Sequence, residues 1–108
     1  MVDSLQFLRM EPVESSLMIR CEATEAPHQF DMATCKNQIA GQIEEHQCRE
    51  VVFDLVGVKI LSSRFLALMA AVQQLEVPVW VESPTPEIVK LLELTRYDAV
   101  IKVRAPVV

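Results

Sequence analysis

Glycine is scarce in this chain: two residues, Gly41 and Gly57, among 108. No glycine-rich loop able to cradle a phosphate can be built from them. Aromatic residues are also few, at 6 %, so the 51 % hydrophobic fraction is aliphatic and the core must be too. Ten basic residues face fifteen acidic ones, a net charge of −5. That leaves no basic stripe for nucleic acid and disfavours an anionic membrane surface. No apolar run is long enough to cross a bilayer, so direct membrane insertion is not expected. Met1-Val2-Asp3-Ser4 is acidic where a secretory signal would be basic, and a cytoplasmic location is expected. The three cysteines, Cys21, Cys35 and Cys48, form no C-x-x-C pair and read as small apolar residues. Cys35, His46 and Cys48 match no zinc spacing. Asp54 has no second acid or base beside it in the sequence. No metal, no cofactor and no catalysis are expected.

What is present centres on Arg49 to Glu76, REVVFDLVGVKILSSRFLALMAAVQQLE. Val51-Val52-Phe53 has the β-branched and aromatic character of a buried strand, ending at Asp54-Leu55. Ser62-Ser63 stands directly before the apolar run Phe65 to Val72. Serine there is an N-cap signal, because its oxygen can accept a hydrogen bond from an orphan backbone N–H. The helix should run from about Ser63 to Glu76. A hydroxyl pair thus sits at the positive end of an apolar helix. On residue physics alone, Ser62 or Ser63 is simply its cap.

The remaining chain reads in order. Leu5 to Val13 suits a strand, with Pro12 restricting it to an edge or its end. Glu14-Ser15 is a turn, and Leu17 to Ala23 returns with Leu17, Ile19 and Cys21 on one face. Thr24 to Gln29 is a loop. Asp31 caps a helix whose stripe is Met32, Cys35, Ile39 and Ile43, closing at Glu44-Glu45-His46. Phe30 can staple onto Cys35. Pro78 opens the strand Val79 to Glu82. In Ser83-Pro84-Thr85-Pro86-Glu87, Thr85 is the cap, Pro86 the first helical residue, and Glu87 suits the positive helix end. Ile88, Leu91, Leu92 and Thr95 form the buried stripe. Arg96-Tyr97-Asp98 closes this helix, and Ala99 to Val103 is a last strand.

From Phe30 onward the order is α-β-α-β-α-β, and crossovers of this kind give parallel neighbours. A leading hairpin adds an antiparallel edge. One α/β domain spanning 1–108 is expected, a mixed sheet of four to five strands with helices mainly on one face.

Glu50 to Val103 resembles the STAS domain, the fold of bacterial anti-anti-sigma factors. The resemblance is carried by VVFDL, the loop Val56-Gly57-Val58, the serine pair opening an apolar helix, the short V-x-V strand, and SPTPEIVKLLELTRYD. In that family the first serine of D-S-S-G-L is phosphorylated by a partner anti-sigma factor acting as kinase. Ser62 falls on that serine and Ser63 on its neighbour. Leu61 stands where the family has aspartate, and Arg64 where it has glycine. The resemblance implies an anti-sigma factor antagonist that works by protein–protein binding. Its partner would be an anti-sigma factor, a serine kinase of the histidine-kinase-like ATPase type. The implied binding face comprises Val56, Gly57, Val58, Lys59, Ser62, Ser63 and Arg64. Two other readings stay open: a STAS scaffold without the switch, stressosome-like or transporter-associated, and a small-ligand binder or enzyme that uses the fold alone.

Overall fold

The computed structural model describes residues 8–22 and 30–104. Among these residues are five strands and three helices. β1 (Leu8–Val13) and β2 (Ser16–Cys21) form the hairpin, followed by α1 (Met32–His46), β3 (Glu50–Asp54) and α2 (Ser63–Gln73). β4 (Val79–Glu82), α3 (Pro86–Leu94), a 3-10 turn (Tyr97–Ala99) and β5 (Ile101–Arg104) complete the described residues. The sheet order is β1-β2-β3-β4-β5. β1 and β2 are antiparallel, and every later pair is parallel. Because each crossover moves one strand further the same way with the same hand, all three helices fall on one face.

Strand periodicity and register make that face explicit. Leu17, Val51, Val79 and Ile101 align across four strands, with Ile19, Phe53 and Val81 in the next row. All seven are buried in the main core with Cys35 and Ile39 of α1, Leu68 and Val72 of α2, and Ile88 and Leu92 of α3. Burying each such side chain stabilises by about 1.5–3 kcal/mol. Phe65 of α2 stands edge-on to Phe53 at 5.9 Å and to Phe30 at 6.5 Å, joining sheet, helix and the approach to α1.

The opposite face has no covering helix among the described residues. Arg20, Asp54, Glu82 and Arg104 align as one row, and Met18, Val52, Trp80 and Lys102 as the next. Arg20 donates to Asp54 at 3.2 Å. Arg104 reaches Glu82 and Glu50, both at 3.3 Å, and lies over the Trp80 ring at 4.7 Å. Ser16 donates to Glu50 at 2.6 Å. That hydroxyl first, and the Arg104 guanidinium second, hold the Glu50 carboxyl below its ordinary value. The Trp80 indole N–H is buried without a hydrogen bond of ordinary geometry.

Several boundaries differ from expectation. α2 stops at Gln73 and not Glu76: the chain turns at Gln74, Glu76 is left-handed at φ 66°, and Pro78 then enforces extended backbone. Thr95 is exposed, not buried. It is the C-cap of α3, and its hydroxyl donates to the Leu91 and Leu92 carbonyls. β5 starts at Ile101 because Arg96 adopts φ 62° and the 3-10 turn occupies residues 97–99. β2 starts one residue earlier than expected, at Ser16, and ends at Cys21. Leu5 to Phe7, Ala23 and the expected loop Thr24 to Gln29 lie outside the described residues. All three cysteines are buried, and burial pushes the Cys48 thiol up.

Candidate functional site

β3 delivers its last residue, Asp54, into a corner that turns the chain toward α2. The Asp54 carboxylate accepts the Val56 N–H at 3.0 Å with one oxygen and Arg20 with the other. Val58 N–H then bonds the Leu55 carbonyl at 3.0 Å, closing a four-residue turn. Gly57 occupies its third position at φ 82°, the region where glycine avoids the Cβ penalty. Nothing lies within 4 Å of a Cβ added there, so backbone conformation, not space, calls for glycine.

From Val56 to Leu61, two core anchors are set among exposed residues. Val58 and Leu61 point into the core, at 0 % and 7 % exposure, while Val56 and Ile60 stand out at 58 % and 56 %. The sequence reading placed Val58 on the binding face, and the structure corrects this: it is a core anchor. Ile60 was missed. Its signal was an aliphatic residue outside any strand or helix period, next to Lys59. Lys59 is exposed, as expected.

Ser62 is the N-cap of α2. Its oxygen accepts the Phe65 N–H at 3.1 Å, and its carbonyl takes the Leu66 N–H at 3.0 Å. Ser62 is half-buried, whereas Ser63 is exposed. Arg64 is exposed and committed: it donates to the Phe30 carbonyl at 2.9 Å, and its guanidinium lies 5.5 Å from the Phe30 ring centre. Its charge also helps keep the neighbouring Asp31 carboxyl low, after the larger effect of the Thr34 N–H that Asp31 caps. Arg64 thus ties the first turn of α2 to the entry of α1. The corner therefore combines two exposed aliphatics, a lysine, an arginine and two hydroxyls at a helix N-terminus. It carries no acid–base pair. Among the described residues, no group of three or more His, Cys, Asp or Glu could hold a metal, and no helix is long and apolar enough to cross a membrane.

Solved structures share this architecture. The unphosphorylated anti-sigma factor antagonist SpoIIAA matches with a TM-score of 0.70 at 13 % identity, over 90 % of this chain and 87 % of its own. The chain has the STAS fold. TM1081 of Thermotoga maritima, a candidate anti-sigma factor antagonist, matches at 0.71 and 12 % identity, over 97 % of this chain and 91 % of its own. The phosphorylated form of the Bacillus cell fate determinant SpoIIAA matches at 0.59, with 13 % identity and 90 % of each chain covered. No family model matches the sequence, and no curated protein matches it by sequence. The likeness is therefore one of fold, visible in three dimensions and faint in the residues.

Proposed function

We propose that this chain is an anti-sigma factor antagonist-like regulator, a binding protein and not an enzyme, acting in the cytoplasm through the corner between β3 and α2. The observation that carries this reading is the pairing of exposed Val56 and Ile60 with Ser62, Ser63 and Arg64 at the start of α2. Exposed aliphatics rimmed by polar groups are what a protein partner buries. The partner is an anti-sigma factor of the histidine-kinase-like ATPase type. Ser62 is the proposed phosphorylation site and Ser63 the second choice. A phosphate there would bring a charge of about −1.5 to −2 to the positive end of α2, beside Arg64. The fold tolerates it, and the apolar contact with the partner is disrupted.

A second reading, a fixed docking subunit of a larger assembly, draws on two observations. The Ser62 oxygen already caps the helix, and Leu61, where the resembled family has aspartate, is buried. One experiment separates them. The chain is incubated with a candidate anti-sigma kinase and ATP, then analysed by mass spectrometry and binding titration. The switch reading expects one phosphate at Ser62 and weaker binding afterwards. Val56→Glu and Ile60→Glu should each weaken binding at least tenfold, about 1.4 kcal/mol. Binding lost in both variants with no phosphate added favours the fixed subunit. Binding undiminished in both overturns the corner as the docking surface.

A further inference from the structure

Charge is spread unevenly along this chain. From Leu55 to Leu75 there is no carboxylate, and the charged residues are Lys59 and Arg64, both exposed. All fifteen acidic residues lie outside that stretch, against eight basic ones, so a cationic segment sits in an anionic protein. At its near end Asp54 is buried and occupied, by Arg20 and the Val56 N–H. At the start of α1 Asp31 offsets part of the Arg64 charge, and one of its oxygens caps that helix. Two cations therefore stand against one exposed carboxylate across the corner and the start of α1. Relative to the resembled D-S-S-G-L pattern, Leu61 removes an acid and Arg64 adds a cation, two changes in the same direction. Arg64 is also held in place. Its Nε donates to the Phe30 carbonyl at 2.9 Å, and its guanidinium lies 5.5 Å from the centre of the Phe30 ring. Its terminal nitrogens make no hydrogen bond among the described residues. A guanidinium fixed in this way keeps a fork for a carboxylate and loses less freedom when it binds one.

We propose that Arg64, with Lys59, sets the partner specificity of the β3–α2 corner: the protein surface it accepts is an aliphatic patch edged by carboxylates. This rests on the corner being the docking surface, and not on phosphorylation of Ser62. Val56 and Ile60 supply the apolar contact. The two cations steer an acidic surface in and reject a basic one, which would bury like charges against them. A basic surface is what the net charge of −5 attracts at long range, so the corner selects against the pull of the whole molecule. A phosphate on Ser62 would oppose the same carboxylates, and release would then use the charge balance that gives selection.

The test is an amide NMR titration of the full chain, at low ionic strength, with two capped peptides, Ser-Glu-Leu-Leu-Glu-Ala-Leu-Glu-Ser and Ser-Lys-Leu-Leu-Lys-Ala-Leu-Lys-Ser. The glutamate peptide should shift the amides of residues 56–64 and bind roughly tenfold more tightly than the lysine peptide. The double variant Lys59→Glu, Arg64→Glu should reverse that preference. Because it also removes the Phe30 contact, Lys59→Glu alone is the second variant. It should reduce the preference and leave the amides of residues 30–34 where they were. Ile60→Ser, which changes no charge, should weaken both peptides alike. Equal binding of the two peptides at 56–64, lost in Ile60→Ser, would overturn the charge selection and leave the corner standing as the docking surface. An unreversed preference, shifts confined to other surfaces, or no binding of either peptide would also overturn the selection; the corner itself is then judged by Val56→Glu and Ile60→Glu against the candidate kinase.

Discussion

The two faces of the sheet solve opposite problems with the same backbone. On the covered face, Leu17, Val51, Val79 and Ile101 lie in one row and disappear beneath three helices. On the other, Arg20, Asp54, Glu82 and Arg104 lie in one row and satisfy each other. Between that charged row and Ser16–Glu50, the stripe of Met18, Val52 and Trp80 is shielded by its neighbours, and Val52 is fully buried without joining the main core. Among the described residues, this face is shielded by its own side chains and not by a helix. Long charged side chains lie across the apolar stripe and pair at their tips. Such pairs in contact with solvent contribute far less than core burial, so the faces should differ sharply when altered.

The largest effect belongs to the covered face. Phe65→Ala removes the ring that links β3, α2 and Phe30, and should cost about 3–5 kcal/mol, a large part of a typical domain's 5–15 kcal/mol. Chemical denaturation measures it, and a loss no larger than that of Asp54→Ala would erase the contrast. Asp54→Ala comes next, at about 1–3 kcal/mol, because Arg20 and the Val56 N–H both lose their acceptor. It should also loosen residues 56–61, read by faster amide exchange there. Glu50 tests the ionic lattice through pH. Its folded pKa is lowered from 4.5, first by Ser16 and then by Arg104. Its contribution is therefore present above the unfolded value and is lost as pH falls below 4.5 through the folded value. Glu50→Gln should flatten that acid limb of the melting temperature, and an unchanged limb would show that the lattice does not respond to this carboxyl. The smallest effect is a control outside the central rows of both faces. Arg96→Gly relieves a left-handed residue and should stabilise by about 0.5–1 kcal/mol.

The covered face was legible in the sequence and the ionic face was not. Asp31, Thr85-Pro86 and Pro78 punctuate the chain through chemistry that acts within four residues, and they mark elements where the structure has them. The stripe Leu17, Ile19, Cys21 is likewise a local period. Arg104, by contrast, meets partners 22 and 54 residues away, and no local rule pairs them. The left-handed turns at Glu14, Gln47, Glu76, Ser83 and Arg96 were hidden for another reason: none carries the glycine that usually advertises such a turn. At the corner, the serine pair was visible but either member satisfied the capping rule, and only the backbone distinguishes Ser62 as cap from Ser63 as first helical residue. Val58 and Ile60 look alike in sequence, and only the turn at Gly57 decides which one faces inward.

Strand order along the sheet equals strand order along the chain. During synthesis, each new strand from β2 onward can lay itself against a neighbour that has already left the ribosome, and none must be wedged between two that are already joined. The sheet grows like a wall built from one end, and it should unravel from the end laid last.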